Sequence, residues 1–184
     1  MAVIDRISER EYRDLALGEA RLELWDAEPR EKPDMSSAHE DISAYLGHLL
    51  MNQLDRKVFR VSVNGANARV SGSTYFIPDV VVLPARSVIE FRDDPRHLAA
   101  YTDSLPLVVE VWSRTTGTYD FERKLAAYRE RGDAEIWYIH PYERTLTVWC
   151  RQADGGYTES GFSGGAVPLA SLPGVTIDLD ELLA

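Results

Sequence analysis

An α/β domain built on a mixed β-sheet is the fold class this sequence predicts, and three observations carry the prediction. Short apolar, β-branched runs recur at Lys57 to Val63, Tyr75 to Leu83, Leu107 to Trp112 and Glu135 to His140. Between them lie two segments with helical periodicity, one after Ser37 and one from Tyr119 to Arg131. Hairpin-like pairs of runs are interleaved with these alternations, so the sheet is expected to be mixed rather than purely parallel. With 184 residues, 45% hydrophobic and 27% charged, the chain can bury a full core, and residues 1–184 are read as one domain.

The elements follow in order. Ser8 and Glu11 form a capping box for a first helix running to about Leu17. Leu22, Leu24 and Asp26 alternate with Glu23 and Trp25, a strand pattern ended by Pro33 and Asp34. Ser37 and Glu40 form a second capping box, and Ile42, Tyr45, Leu46, Leu49 and Leu50 make the apolar stripe of the strongest helix. Strands are then expected at Lys57 to Val63, Ala68 to Val70 and Tyr75 to Leu83, followed by an irregular surface excursion over residues 84–104. Leu107 to Trp112 is a strand and SRTTGT a turn. The helix from Tyr119 to Arg131 buries Phe121, Leu125 and Tyr128 and stops at Gly132. Glu135 to His140 and Thr145 to Arg151 flank the turn Pro141–Tyr142–Glu143–Arg144, and Asp178 caps a last short helix through Leu183.

Composition bounds the function. Thirty acids against twenty bases give a net charge of −10, which argues against loose binding to nucleic acid driven by counterion release. The one cysteine, Cys150, cannot form an intrachain disulfide, and neither a signal peptide nor a ~20-residue apolar span is evident. A cytoplasmic protein with no membrane association is expected.

Three residues break local rules. Glu110 places a carboxylate inside the apolar run LVVEVW, which is costly unless the group is paired or coordinated. The alternative is that it faces solvent from an edge strand. Asp79 follows Pro78 and leads directly into VVVLP, so it stands at the entrance to a sheet; the alternative is a plain Pro–Asp turn. Lys124 is one of only three lysines (with Lys32 and Lys57) among twenty basic residues, and a lysine differs from an arginine in carrying a compact, titratable ammonium. Its alternative is an ordinary i, i+4 pair with Asp120. Together, two carboxylates on neighbouring strands and a lysine suit a hard divalent cation with a positioned water, the chemistry of phosphodiester hydrolysis. Residues 114–131 supply a weakly basic groove: Arg114, Arg123, Lys124, Arg129 and Arg131 against Asp120, Glu122 and Glu130, five minus three, a local +2. The interleaved Tyr119, Phe121 and Tyr128 have core spacing. His39 precedes the helical stripe and is read as either a core or a site histidine; His48 and His97 are read as surface residues.

The pieces PD at 78–79 and EVW at 110–112 resemble the PD-(D/E)XK pattern of restriction-endonuclease-like nucleases. The resemblance is closer to one branch, the Uma-two family of endonucleases. It is carried by RLELWDAEP (21–29), SSAHEDI (36–42), YFIPDVVVL (75–83), LPLVVEVWSRTT (105–116), Asp120 with Lys124, LAAYRERG (125–132), EIWYIHP (135–141), RTLTVW (144–149) and LPGVTIDLDEL (172–182). It implies a restriction-endonuclease-like mixed β-sheet core flanked by helices. It also implies a site in which Asp79, Glu110 and the carbonyl of Val111 hold Mg²⁺ or Mn²⁺. Lys124 then positions or activates water, His39 stands near the metal, and Glu23, Asp120 and Arg114 support. Trp112 stands where the pattern usually has its lysine, which moves that role to Lys124. Arg114, His140 and Ala27 replace a usual proline, aspartate and glycine; the last two are expected to affect turns, and Arg114 to add a phosphate contact.

The predicted function is Mg²⁺-dependent endonucleolytic cleavage of DNA, with RNA left open, by a homodimer whose two-fold axis matches that of a duplex. The alternative is a catalytically silent module that binds nucleic acid or protein on the same fold. Hydrolysis of a small phosphoester is a third reading, but no phosphate-cradling glycine loop supports it.

Overall fold

A computed structural model describes residues 6–18, 21–32, 35–89, 93–94, 98–114 and 117–184, without the side chains of 117–119. The readings that rest on Pro33 and Asp34, His97, the Tyr119 side chain and parts of the 84–104 excursion lie outside the described residues.

The first helix, α1 (Glu9–Ala16), starts at a complete Ser8–Glu11 capping box. β1 (Leu22–Trp25) and β2 (Glu28–Glu31) form a hairpin that the sequence reading missed, because EPRE reads as a polar loop. Its two-residue turn puts Asp26 at φ 50° and Ala27 at φ 71°, a geometry normally given to Asn-Gly or Asp-Gly. The long helix α2 (Ser37–Gln53) is capped by Ser36, not Ser37: the Ser36 hydroxyl accepts from the His39 N–H, one residue earlier than expected. Gly47 is required on this helix because a Cβ there would stand 2.6 Å from Val63 Cγ2 of the strand beneath.

That strand is β3 (Phe59–Val63), followed by β4 (Asn67–Ser71), β5 (Thr74–Phe76) and β6 (Val80–Pro84). The expected continuous strand from Tyr75 to Leu83 is therefore two strands in two different sheets, split at Ile77, Pro78 and Asp79. Proline removes a ladder donor there and lets the chain cross over. After α3 (Ala85–Ile89) and β7 (Ala100–Tyr101) come β8 (Leu107–Val111), α4 (Gly117–Arg131), β9 (Glu135–His140) and β10 (Thr145–Arg151). Gly132 ends α4 at φ 76°. The tail, for which the sequence predicts only the last helix, also holds β11 (Tyr157–Phe162), β12 (Ala166–Pro168) and β13 (Thr176–Asp178) before α5 (Leu179–Leu182), which Asp178 caps as predicted. β11 escaped notice because its sequence, YTESGF, is polar and mostly exposed.

The main sheet has the order β11-β10-β9-β8-β6-β3, antiparallel except for β8 and β9, which run parallel and are joined by the crossover through α4. A second sheet has the order β2-β1-β5-β4-β7, and β12 pairs with β13. Both faces of the main sheet are covered. Val80, Val82, Val109 and Val111 pack towards Ile42, Leu46 and Leu50 of α2, while Val81, Val108 and Ile136 pack with Phe121 and Tyr128 of α4 and with Trp25 and Phe76. Burial on both faces is why β6 reads as a continuous apolar run and β8 as one broken only by Glu110. It also means that Glu110, two residues along β8 from Val108, faces the α4 layer rather than solvent, so its edge-strand reading is excluded. Among the described residues no helix is long and apolar enough to cross a membrane.

Candidate active site

Two chain segments bring the central carboxylates together. Asp79 immediately precedes β6, whose first residue, Val80, pairs with Val109, the neighbour of Glu110. Glu23 arrives from β1 of the second sheet. All three are buried, with 5%, 1% and 7% of Glu23, Asp79 and Glu110 exposed. They share one open cavity with Lys32, His39 and Lys124.

Each carboxylate is held by an ammonium. Lys124 Nζ, on α4, donates to Glu23 Oε1 at 2.9 Å and to Glu110 at 3.1 and 3.3 Å. Tyr128, one helical turn on, donates its hydroxyl to Glu110 Oε1 at 2.6 Å. Lys32 Nζ donates to Asp79 Oδ1 at 2.7 Å, to Asn64 Oδ1 at 2.9 Å and to the Ile77 carbonyl at 2.7 Å. The other Asp79 oxygen meets His39 Nε2 at 2.9 Å and accepts the Val111 N–H at 2.7 Å. Glu23 accepts the Ile77 N–H at 2.8 Å and the Trp25 indole N–H at 2.9 Å. The Trp25 ring in turn lies under the guanidiniums of Arg30, 4.9 Å away, and Arg123, 5.2 Å away.

The electrostatics follow from this packing. Burial works to raise the Asp79 carboxyl, but the Lys32 ammonium and the His39 bond outweigh it and hold the group well below the usual carboxylate range. Glu110 goes the other way: burial, reinforced by Asp79 and Glu23, outweighs Lys124 and raises it. Burial disfavours the charged form of Lys124, yet Glu110, Glu23 and Asp79 surround it and push it above the ordinary lysine value. Lys124 is therefore protonated at neutral pH. Three buried carboxylates thus share two lysine ammoniums and the His39 ring, with Lys124 bonded to two of them at once.

A family model described as "Putative restriction endonuclease", that of the Uma2 family, matches residues 10–180. The chain belongs to the Uma2 family. Its fold is shared with a solved structure described as a "putative nuclease belonging to DUF820 from Anabaena variabilis", at a TM-score of 0.74 and 16% identity, covering 96% of this chain and 97% of that one. Among curated proteins none matches.

The residues singled out from the Uma2 sequence divide clearly in space. Asp79, Glu110, Lys124, His39 and Glu23 meet in one cluster, and Val111 joins it through its backbone. Asp120 lines the cavity, half-buried, but Lys124 is bonded to Glu23 and Glu110 rather than to it. Arg114 is exposed beyond the end of β8. The expected basic groove is largely spent on structure. Arg131 donates to the carbonyls of Arg69, Tyr101 and Asp103 and pairs with Asp133 at 3.1 Å, Arg129 lies over Trp149 and Tyr157, and Arg123 pairs with Asp26.

Sequence reasoning missed Lys32, Asn64 and the Tyr128 hydroxyl. Lys32 carried the same signal as Lys124, a lysine in an arginine-rich chain, but the unrecognised β1–β2 hairpin hid its approach to Asp79. Among the described residues no three His, Cys, Asp or Glu side chains are grouped to hold a metal ion. The groups that could hold one are oxygens already bonded within the cluster. Val111 directs its N–H at Asp79, and in an extended strand the carbonyl of the same residue points to the same side, so Asp79, Glu110 and Val111 O suit a hard cation such as Mg²⁺.

Proposed function

We propose that this Uma2 protein is a Mg²⁺-dependent endonuclease acting on DNA, with Mn²⁺ able to substitute. The observation that carries the reading is the buried cluster of Glu23, Asp79 and Glu110 at one cavity, three carboxylates sharing two lysines. Asp79, Glu110 and the Val111 carbonyl would hold the cation, which when bound neutralises charge on a phosphodiester and acidifies an attacking water. Lys124, kept protonated by its three acidic neighbours, serves as a donor that orients water or a phosphate oxygen rather than as a base. Tyr128 and Glu23 fix Glu110 and Lys124 in place through the bonds described above. His39 buttresses Asp79 from α2, and Arg114, exposed near the end of β8, is free to meet a phosphate. A homodimer, which would present two such sites to the two strands of a duplex, completes the proposal; sedimentation at tens of micromolar showing only the 20.7 kDa monomer would remove that part.

A second reading has its own observation. Lys32 and Lys124 already neutralise Asp79 and Glu110, so the same cluster would serve a metal-free module that binds nucleic acid or protein. Calorimetric titration with Mg²⁺ and Mn²⁺ separates the two. The nuclease reading expects saturable binding to the wild type that disappears in Asp79→Asn and in Glu110→Gln. Absence of binding to the wild type selects the metal-free module.

A further inference from the structure

We propose that Trp112, His140 and Tyr142 form a platform on which an unpaired nucleobase of the DNA substrate stacks, so that the site prefers single-stranded or locally unpaired DNA to continuous duplex. The inference rests on the nuclease reading above and names its substrate class. Trp112 lies two residues beyond Glu110, so both side chains leave the same face of the chain. It lines the same cavity as Glu110 and Lys124. On the neighbouring parallel strand, Tyr138 stands opposite Glu110 and His140 is two residues further along. The Trp112 and His140 rings stack, with centroids 4.5 Å apart and planes at 30°. Tyr142 closes the group edge-on, 5.7 Å from Trp112 and 6.5 Å from His140.

Three rings in contact at the rim of a candidate active site would normally be covered if their role were packing. Here Tyr142 is 63% exposed, and Trp112 and His140 are each partly open. The backbone beneath Trp112 and the His140 ring are each held by a hydrogen bond. The Trp112 N–H donates to the Ile139 carbonyl at 2.8 Å, and the Glu143 N–H donates to His140 Nδ1 at 3.1 Å, which fixes the imidazole plane. A preorganised ring surface loses little entropy when a flat ligand covers it.

Charge points to a base rather than a backbone as the occupant. The protein carries a net −10, and Arg123, Arg129 and Arg131 of α4 are engaged within the fold, which leaves exposed Arg114 and Arg144 near the rings to meet the backbone and gives phosphate attraction only a small share. The carboxylate of Glu143, 71% exposed beside Tyr142, opposes a phosphate but not a neutral base. Stacking needs no sequence readout, because every base presents a π-face. A base inside a duplex has both faces covered by its neighbours and reaches such a platform only by leaving the stack.

The test is fluorescence anisotropy in EDTA, so that nothing is cut. The probes are a labelled single-stranded DNA oligonucleotide, its duplex, and an abasic strand of equal length and charge. Wild type is expected to bind the single strand most tightly. Trp112→Ala and the solvent-exposed change Tyr142→Ala are each expected to weaken that binding about 5- to 150-fold while leaving the abasic strand unaffected, and Trp112→Phe to retain most of it. Equal wild-type affinity for the abasic and the base-bearing strand, or undiminished binding by both alanine variants, overturns the platform. Cleavage of the same strand by wild type in Mg²⁺ is scored separately. Cleavage with undiminished variant binding removes the platform alone; variant-sensitive binding without cleavage keeps the platform and removes the nuclease reading.

Discussion

Asp79→Ala tests whether the lysines at the site are true counter-ions. Considered as carboxylates alone, Asp79, Glu110 and Glu23 repel one another, and removing one would relieve the metal-free fold. The bonded lysines reverse that sign. Removing the Asp79 carboxylate takes the 2.7 Å partner from Lys32, the 2.9 Å partner from His39 and the acceptor from the buried Val111 N–H. Breaking one side of a buried ion pair costs about 3–5 kcal/mol, because the surviving charge is left without compensation. Lys32 keeps Asn64 and the Ile77 carbonyl as acceptors, and Glu110 is relieved of a like charge, so the lower part of that range applies. For a chain of this length each kcal/mol moves Tm by about 2–4 °C, so ~3 kcal/mol corresponds to roughly 6–12 °C. The assay is thermal and urea unfolding of the metal-free protein, comparing wild type, Asp79→Ala, Lys32→Met and the double variant. The double variant should recover much of the loss, since no unpaired ammonium remains. An Asp79→Ala protein as stable as wild type, or more so, would refute the ion-pair account.

Other outcomes follow from the same geometry. Asp79 has a native pKa below its unfolded value of 3.8, so its stabilisation is present above that value and is lost as pH falls below it. Glu110, raised above 4.5, contributes in the opposite sense and costs stability as pH rises past that value. Urea midpoints between pH 2 and 4 should therefore fall more steeply for wild type than for Asp79→Asn; parallel curves would contradict the assignment. Ala27→Gly, at φ 71°, should raise stability by about 1 kcal/mol by relieving left-handed backbone, as read by urea unfolding; a loss of stability would show that the Ala27 methyl is needed. Lys124→Met should lower Mg²⁺-dependent cleavage by roughly 10²–10³-fold while leaving calorimetric metal binding intact, the loss typical of one transition-state donor. Lys124→Arg should also lose cleavage, because a guanidinium does not fit between Glu23, Glu110 and the Trp25 and Phe76 rings; wild-type turnover would reduce Lys124 to a steering charge.

Much of this site was legible in the sequence because a buried charge contradicts its surroundings. Glu110 interrupts an apolar run, Asp79 follows a proline at the mouth of another, and Lys124 is a rare lysine among arginines, so each departs from its surroundings. Lys32 is as rare a residue, but it follows a polar hairpin that departs from Gly-containing turn chemistry, and nothing local shows that β1 and β2 return it to Asp79. The same limit hid the division of residues 75–83 between two sheets. A β-branched run has the same appearance whether one sheet or two receives it, and only long-range pairing decides. Tyr128 was legible as core but not as a donor, since its helical spacing fixes its direction and not the acid it meets. The basic groove failed for a related reason, because a charge count cannot distinguish an arginine facing solvent from one spent on carbonyls within the fold.

The central claim is metal-dependent hydrolysis at Asp79 and Glu110. It is tested most directly by incubating wild type and Glu110→Gln with DNA in Mg²⁺, Mn²⁺ and EDTA, and following phosphodiester cleavage. The account predicts cleavage by wild type in either metal, none in EDTA, and a loss of at least a hundredfold in Glu110→Gln at undiminished folding. Cleavage that survives both EDTA and Glu110→Gln, or wild type that cuts neither single-stranded nor duplex DNA in either metal, would contradict it.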